Sequence, residues 1–334
     1  MSTAPLRKPR PVLPGATIGI VAPSGPVPSD QLVQGIEMLR AWGYHTVVGD
    51  AVLARRGYLA GTDAQRAADF NKVWSDPKVE AVLAARGGYG AMRILTGIDW
   101  EMIQENPKFF CGFSDITALH LAMEREANLV TFHGPMVAAF GEARSYNAAG
   151  LQKALRGCDA LGEIRWPLPE DETSSRLDAE PFPQPVTIRP GVANGRLIGG
   201  NLSLIVSMMG TRWEPDFTGR IVLLEDVDEA PYRVDRMLMQ LLLAGKLQKA
   251  AGILFGFSPS CLHGSPNRPS LTLMEVLEEL LAPLGIPVLY GFPSGHGSHR
   301  VTLPLGVMVK LDASAGRLII LESAFGEIGA TGRV

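Results

Sequence analysis

Strand-like and helix-like stretches alternate through the first 135 residues, and that alternation restricts the chain to few architectures. TIGIVAP (17–23) is a β-branched apolar run that ends in Pro and Gly. SDQLVQGIEMLRAWG (29–43) carries Leu32, Ile36 and Leu39 at helical spacing, and Gly43 stops it. TVVGD (46–50) is a short strand, and TDAQRAADFNKVWSD (62–76) is a helix with an acidic, polar first turn. VEAVLAARGG (79–88) and KFFCGFS (108–114) are strands ending in turn residues. DITALHLAMEREA follows as a helix, and VTFHGP (130–135) is one more strand. Strands separated by helices predict a mostly parallel sheet with helices on both faces.

The pattern then breaks. WPLPEDETSSRLDAEPFPQPVTIRP (166–190) is rich in Pro, Ser and acidic residues, a composition suited to a linker or surface loop. It divides the chain into an N-terminal α/β unit, 1–165, and a C-terminal α/β unit, 191–334. In the second unit GRLIGGNLSLIVSMMG (195–210) has the look of a Gly-rich turn feeding a helix. RIVLLEDVD (220–228) is a strand with acids at its C-terminal end, and PYRVDRMLMQLLLAG (231–245) is a helix with Pro at its start. AAGILFGFS, LTLMEVLEELLAPLG and PVLYGFP predict strand, helix, strand. VTLPLGVMVKLDAS and RLIILES suggest a closing antiparallel pair.

Bulk properties exclude several function classes. With 334 residues, two domains of roughly 150 residues are expected. The net charge of −3 and pI near 6.1 give no basic face for nucleic acid. MSTAPLRKPRPVLPG has basic residues but no apolar stretch behind them, unlike a secretory signal. No apolar run reaches the roughly 18 residues of a membrane span, and MLMQLLLAG (237–245) suits a buried helix. Cys111, Cys158 and Cys261 show no CxxC spacing, so neither a disulfide framework nor a zinc ribbon is expected. A cytoplasmic location follows as the expectation.

In open α/β sheets ligands sit beyond the C-terminal ends of the strands, and the reactive residue types collect there. Arg86, Gly87 and Gly88 end one strand, Ser114 in GFSD another, and Glu225, Asp226 and Asp228 a third. GFPSGHGSHR, with His296 and His299, follows a fourth. Serine, carboxylate and histidine are the parts of a serine hydrolase, in the chain order of the α/β-hydrolases. The local motif departs from that fold, because Ile116 stands where G-x-S-x-G requires Gly. Ser114 could equally be a helix N-cap. Strand parity separates Glu225 from its acidic neighbours without saying which faces the site. His296 competes with His299. Their H-x-x-H spacing lies among Gly and Ser, not on a helix as a zinc motif would. Cys111 fits the core better than a nucleophile's place. Arg86 is either a packing arginine or a bidentate partner for a substrate carboxylate.

GATIGIVAPSG, ARGGYGAMRIL, GFSDITALHLA, TFHGP, GRLIGGNLSLI, LLEDVDEAPYRVDRMLMQL and GHGSHRVTLPLG occur in an order and spacing that resembles the LD-carboxypeptidases of bacterial cell-wall recycling. Relatives of that family include the microcin C immunity peptidases. The resemblance covers most of the chain. It implies a nucleophilic Ser114 from the first domain, with Glu225 and His296 from the second. In those roles Ser114 attacks the scissile carbonyl, His296 carries its proton to the leaving amine, and Glu225 orients the imidazole. Backbone N–H groups of Gly88 and Asp115 are the expected oxyanion donors, Gly88 because it has no side chain and Asp115 because it opens a helix. The implied substrate is the murein tetrapeptide, cut before its terminal D-alanine. An adenylate-type substrate is the alternative, with Trp166 or Trp213 available for stacking, and a non-catalytic muropeptide-binding protein is a third reading. No cofactor or metal is implied, and the partner expected is a second copy, in a homodimer. Since the triad would span two domains, Ser114 and His296 are expected to stand apart until substrate closes them.

Overall fold

The computed structural model describes residues 6–141, 145–157, 159–167, 182–264 and 269–326. Its first part runs β1 (Thr17–Val21), α1 (Ser29–Ala41), β2 (His45–Val48), α2 (Asp63–Ser75), β3 (Val79–Ala84), α3 (Trp100–Glu105), β4 (Phe109–Gly112), α4 (Thr117–Ala127), β5 (Thr131–His133) and α5 (Ser145–Arg156). Then come β6 (Gly162–Glu163), β7 (Val186–Arg189), β8 (Val192–Asn201), α6 (Leu202–Ser207), β9 (Ile221–Glu225), α7 (Pro231–Leu243) and β10 (Gly252–Gly256). The described chain closes with α8 (Leu273–Leu281), β11 (Val288–Phe292), β12 (Leu303–Leu305), β13 (Met308–Asp312) and β14 (Arg317–Ile320).

The α/β class and the parallel first sheet are as the sequence predicts. Local chemistry explains several boundaries. Thr62 and Gln65 cap α2 reciprocally, and Thr272 and Glu275 do the same for α8. Pro231 occupies the first turn of α7, where its missing N–H costs nothing. Asn128 ends α4 in the left-handed conformation.

Two sheets result, ordered β12-β5-β4-β3-β1-β2 and β6-β14-β13-β8-β9-β10-β11-β7. The first is parallel from β5 to β2, and the second is parallel from β8 to β11. Three local expectations need correction. GRLIGGN is no turn: it lies within β8, where its glycines permit close approach. A Cβ on Gly199 would fall 2.0 Å from the Leu223 carbonyl oxygen, and one on Gly200 2.5 Å from Thr117 Oγ1. The stretch 166–190 is not wholly a connector, because β7 pairs antiparallel with β11; residues 168–181 lie outside the described residues. Finally, VTLPL does not pair with the strand after it. β13 pairs with β14, but β12 pairs antiparallel with β5 in the other sheet. We propose that the folding units still divide near 166–190, with β6 and β12 exchanged across the divide.

Two apolar clusters each draw on both halves. One of them joins Ile116, Leu119 and Met123 to Ile198, Leu202, Ile205 and Phe217. Thr117 to Met123 are buried without interruption, so the first two turns of α4 are wrapped on all sides. A helix buried all round cannot shift by a hinge without exposing apolar surface.

Candidate active site

β4 delivers the chain to the elbow. Ser114 adopts φ 63°, in the left-handed region that a residue with a Cβ avoids at a cost of about 1–2 kcal/mol. Such strain persists only where the surroundings impose it. Gly112 makes the bend tight, since a Cβ there would lie 2.9 Å from Ile116 Cγ2. Ile116, which breaks the hydrolase motif, is therefore the side chain packed over the elbow. The helical residues that begin at Ser114, and α4 after them, have no side-chain cap. The capping role open to Ser114 is thus not the one it takes.

Its Oγ lies 3.1 Å from His296 Nε2 instead. His296 Nδ1 lies 2.7 Å from Glu225 Oε2. A carboxylate only accepts, so Nδ1 carries the proton, and Nε2 of the neutral ring is left to accept from the serine hydroxyl. The pair expected to stand apart without substrate is therefore already within hydrogen-bond reach. The continuous core beneath it explains why.

Glu225 ends β9 and is fully buried. Burial alone would push its carboxyl up, but the hydrogen bonds of His296 and Asn201 hold it below the ordinary glutamate value. Glycines make the room: a Cβ on Gly295, at φ +91°, would sit 2.5 Å from Glu225 Oε2, and one on Gly256 3.0 Å from its Cβ. Asp226 points elsewhere and accepts from Asn201 Nδ2, Ser203 N and Ser203 Oγ at 2.8–3.0 Å. Asp228 is exposed, with its N–H donated to Ser260 Oγ.

The loop between β11 and β12 carries His296 and is pinned at several points. Val301 N donates to Pro293 O, Arg300 N to Asn147 Oδ1, and Asn147 Nδ2 to Ser298 O. Ser294 Oγ reaches His133 Nδ1 at 3.3 Å. His299 is buried edge-on between the Tyr146 and Phe182 rings, away from the serine. With both nitrogens of His296 engaged, the H-x-x-H pair does not converge on one point.

The remaining candidates fall as follows. Gly87 approaches the serine most tightly of the strand-end glycines, since a Cβ there would sit 3.1 Å from Ser114 Cβ. The sequence expectation passed over it for Gly88, whose φ is +109°. Two adjacent glycines after a strand are the signal, but they do not say which one faces the nucleophile. Asp115 is buried beside the elbow. Arg86 is exposed and donates from one N–H to Pro26 O at 2.9 Å, tying down the loop after β1. Cys111 is fully buried, and burial pushes its thiol up, against any nucleophilic role. Cys158 lies outside the described residues. Trp213 is packed in the core with Nε1 donated to Glu126, and Trp166 is packed against Phe182 and Phe292 with Nε1 donated to Pro183 O.

Two buried histidines support the strands behind the elbow. His120 bonds the Gly112 carbonyl through Nε2 and Thr131 Oγ1 through Nδ1, both at 2.9 Å. Burial pushes His120 down to about 3 and His133 to about 4. Each is neutral in the fold but takes a proton below about 6.5 in the unfolded chain. The unfolded state therefore binds more protons as pH falls, and stability is lost across that window. At pH 5 each histidine should cost about 2 kcal/mol relative to pH 7. His120→Asn should shrink the pH 7 to pH 5 stability difference by about that amount in urea titrations. An unchanged difference would mean that His120 is not neutral in the fold.

Residues 18–134 match the LD-carboxypeptidase N-terminal domain, and residues 194–311 match the LD-carboxypeptidase C-terminal domain. A Bacillus subtilis protein named "Probable murein peptide carboxypeptidase" is 38% identical over 323 residues, covering 96% of each chain. The murein tetrapeptide carboxypeptidase of Pseudomonas aeruginosa is 30% identical over 299 residues, 89% of this chain and 93% of that one. The Escherichia coli microcin C7 self-immunity protein MccF is 29% identical over 334 aligned positions, 93% of this chain and 95% of that one. Its ligand-free structure superposes with a TM-score of 0.86 at 27% identity, over 96% of this chain and 100% of the other. With the elbow serine, the strand-end glutamate and the loop histidine each falling inside a matched region, the chain belongs to the LD-carboxypeptidase family.

Proposed function

We propose that the protein is a serine-type LD-carboxypeptidase that releases the terminal D-alanine of the murein tetrapeptide during cytoplasmic peptidoglycan recycling, acting as a homodimer. The observation that carries this reading is the unbroken chain from Ser114 Oγ through His296 to the buried Glu225, at 3.1 and 2.7 Å. Ser114 attacks the carbonyl of the L-centre of diaminopimelate or lysine, and its proton passes to His296 Nε2. The carbonyl oxygen becomes an oxyanion, facing the backbone N–H groups of Gly88 and Asp115. As the C–N bond breaks, His296 returns the proton to the leaving amine of D-alanine. Water, activated by the same imidazole, then releases the tripeptide from Ser114. Glu225 holds Nδ1–H in place and stabilises the imidazolium. Arg86 meets the terminal carboxylate with N–H groups other than the one given to Pro26.

The adenylate-type reading shares this machinery and differs in the substrate's base. Trp166 and Trp213, the aromatic residues available for stacking, are both engaged in packing. That favours the muropeptide. A binding protein without chemistry would have no use for a strained serine.

The test is a mass-spectrometric comparison of tetrapeptides, in diaminopimelate and lysine forms, with peptidyl adenylates. Loss of one alanine from a tetrapeptide is expected. Turnover of the adenylates alone would sink the proposed substrate.

A further inference from the structure

Asp115 follows the elbow serine, and its side chain is turned away from it. The residue is 1% exposed, and its Oδ2 accepts from Ser24 Oγ at 2.5 Å and from Ala91 N at 2.7 Å. Ser24 belongs to the loop after β1, and Ala91 directly follows the glycine-rich turn after β3. The two loops are also bonded to each other, Gly25 N donating to Gly87 O at 3.0 Å. At the neighbouring residues of the same loops the buried Arg66 guanidinium donates to Pro23 O and to Gly90 O, and pairs with Asp63. One carboxylate and one guanidinium thus grip the same two loops. Gly87 and Gly88 lie just ahead of the anchored Gly90 and Ala91, with Gly87 against the serine.

We propose that the Asp115 carboxylate is the positioning residue that sets the Gly87–Gly88 segment against Ser114, and so fixes where the oxyanion is received. This rests on the proposed serine mechanism. The tie is short: the group that holds the loop belongs to the residue next to the nucleophile. A loop anchored by distant contacts drifts relative to the serine, and an oxyanion donor is useful only when it is placed before charge develops. Supporting residues of this kind typically govern activity 10- to 100-fold.

The experiment measures kcat, KM and the second-order rate of Ser114 phosphonylation by a fluorophosphonate. In that reaction the Oγ–P bond forms as P–F breaks, fluoride leaves, and the hydroxyl proton passes to His296. It develops charge on the phosphoryl oxygen and needs no peptide. Asp115→Ala should lower kcat and the phosphonylation rate together, by about 10²-fold, with KM within about twofold. Asp115→Asn, which keeps one oxygen to accept from Ser24 and Ala91, should recover most of both. Ser24→Ala should lower the phosphonylation rate by about tenfold, and it serves if Asp115→Ala does not fold. Phosphonylation within twofold of wild type in folded Asp115→Ala, or in Ser24→Ala where that variant must stand in, overturns the proposal. So does a wild type that is not labelled at Ser114. A wild type that is labelled but leaves tetrapeptide intact overturns the substrate reading alone, and Asp115 is then judged on the labelling rates.

Discussion

Ser114→Ala is expected to lower kcat by about 10⁵- to 10⁶-fold while leaving the fold intact. The serine contributes one hydroxyl, and the oxygen lost is the one bonded to His296 Nε2. What remains after its loss is binding and whatever the oxyanion donors supply, typically about 10³- to 10⁴-fold over water. Because φ at this position is 63°, the strain stays in the alanine variant and is relieved in Ser114→Gly. The glycine variant should therefore be inactive yet more stable than wild type, by about 1 kcal/mol. That opposition of stability and activity marks a residue kept for chemistry. A folded alanine variant that retains more than about a tenth of wild-type kcat would remove Ser114 from the mechanism.

His296→Ala should be nearly as damaging, and His299→Ala should not, although the two lie three residues apart in one loop. Only His296 has the serine on one nitrogen and a fully buried carboxylate on the other. Its loss also leaves Glu225 as a buried charge without its partner, which is costly in itself. About 10⁵-fold in kcat is expected for His296→Ala, with reduced stability. His299→Ala leaves space between Tyr146 and Phe182, an effect on packing that should lower the melting temperature by several degrees and kcat by less than about tenfold. A greater kcat loss in His299→Ala than in His296→Ala reverses the assignment.

Much of the fold can be read from local sequence because its parallel strands are joined by helices, and each helix declares itself by spacing and caps. Thr62 with Gln65 and Pro231 are legible at sight. Partner choice between strands is not, since LPL at 303–305 carries no mark that it pairs with His133 rather than with the strand after it. The glycines of β8 mislead for a related reason. The conformational freedom that suggests a turn serves here to bring Gly199 against the Leu223 backbone. At the site, the serine and the histidine stand out by motif, while the choice among Glu225, Asp226 and Asp228 needs three dimensions. Asp115's side-chain role is invisible locally because its partner Ser24 is 91 residues away. The expectation of a gap between Ser114 and His296 assumed an interface that slides, and the all-round burial of the first two turns of α4 removes that assumption.

The crossing of β12 into the first sheet also constrains how the molecule can be made. During synthesis the first five strands emerge long before Leu303, so β5 keeps one edge unpaired until six of the eight strands of the second sheet have appeared. An open edge is a template for wrong pairing. The N-terminal half cannot finish folding as it leaves the ribosome, and a fragment that stops before residue 303 should aggregate rather than yield a soluble domain. The strand that completes the first sheet arrives directly behind His296, so the step that closes that edge also delivers the base to the serine.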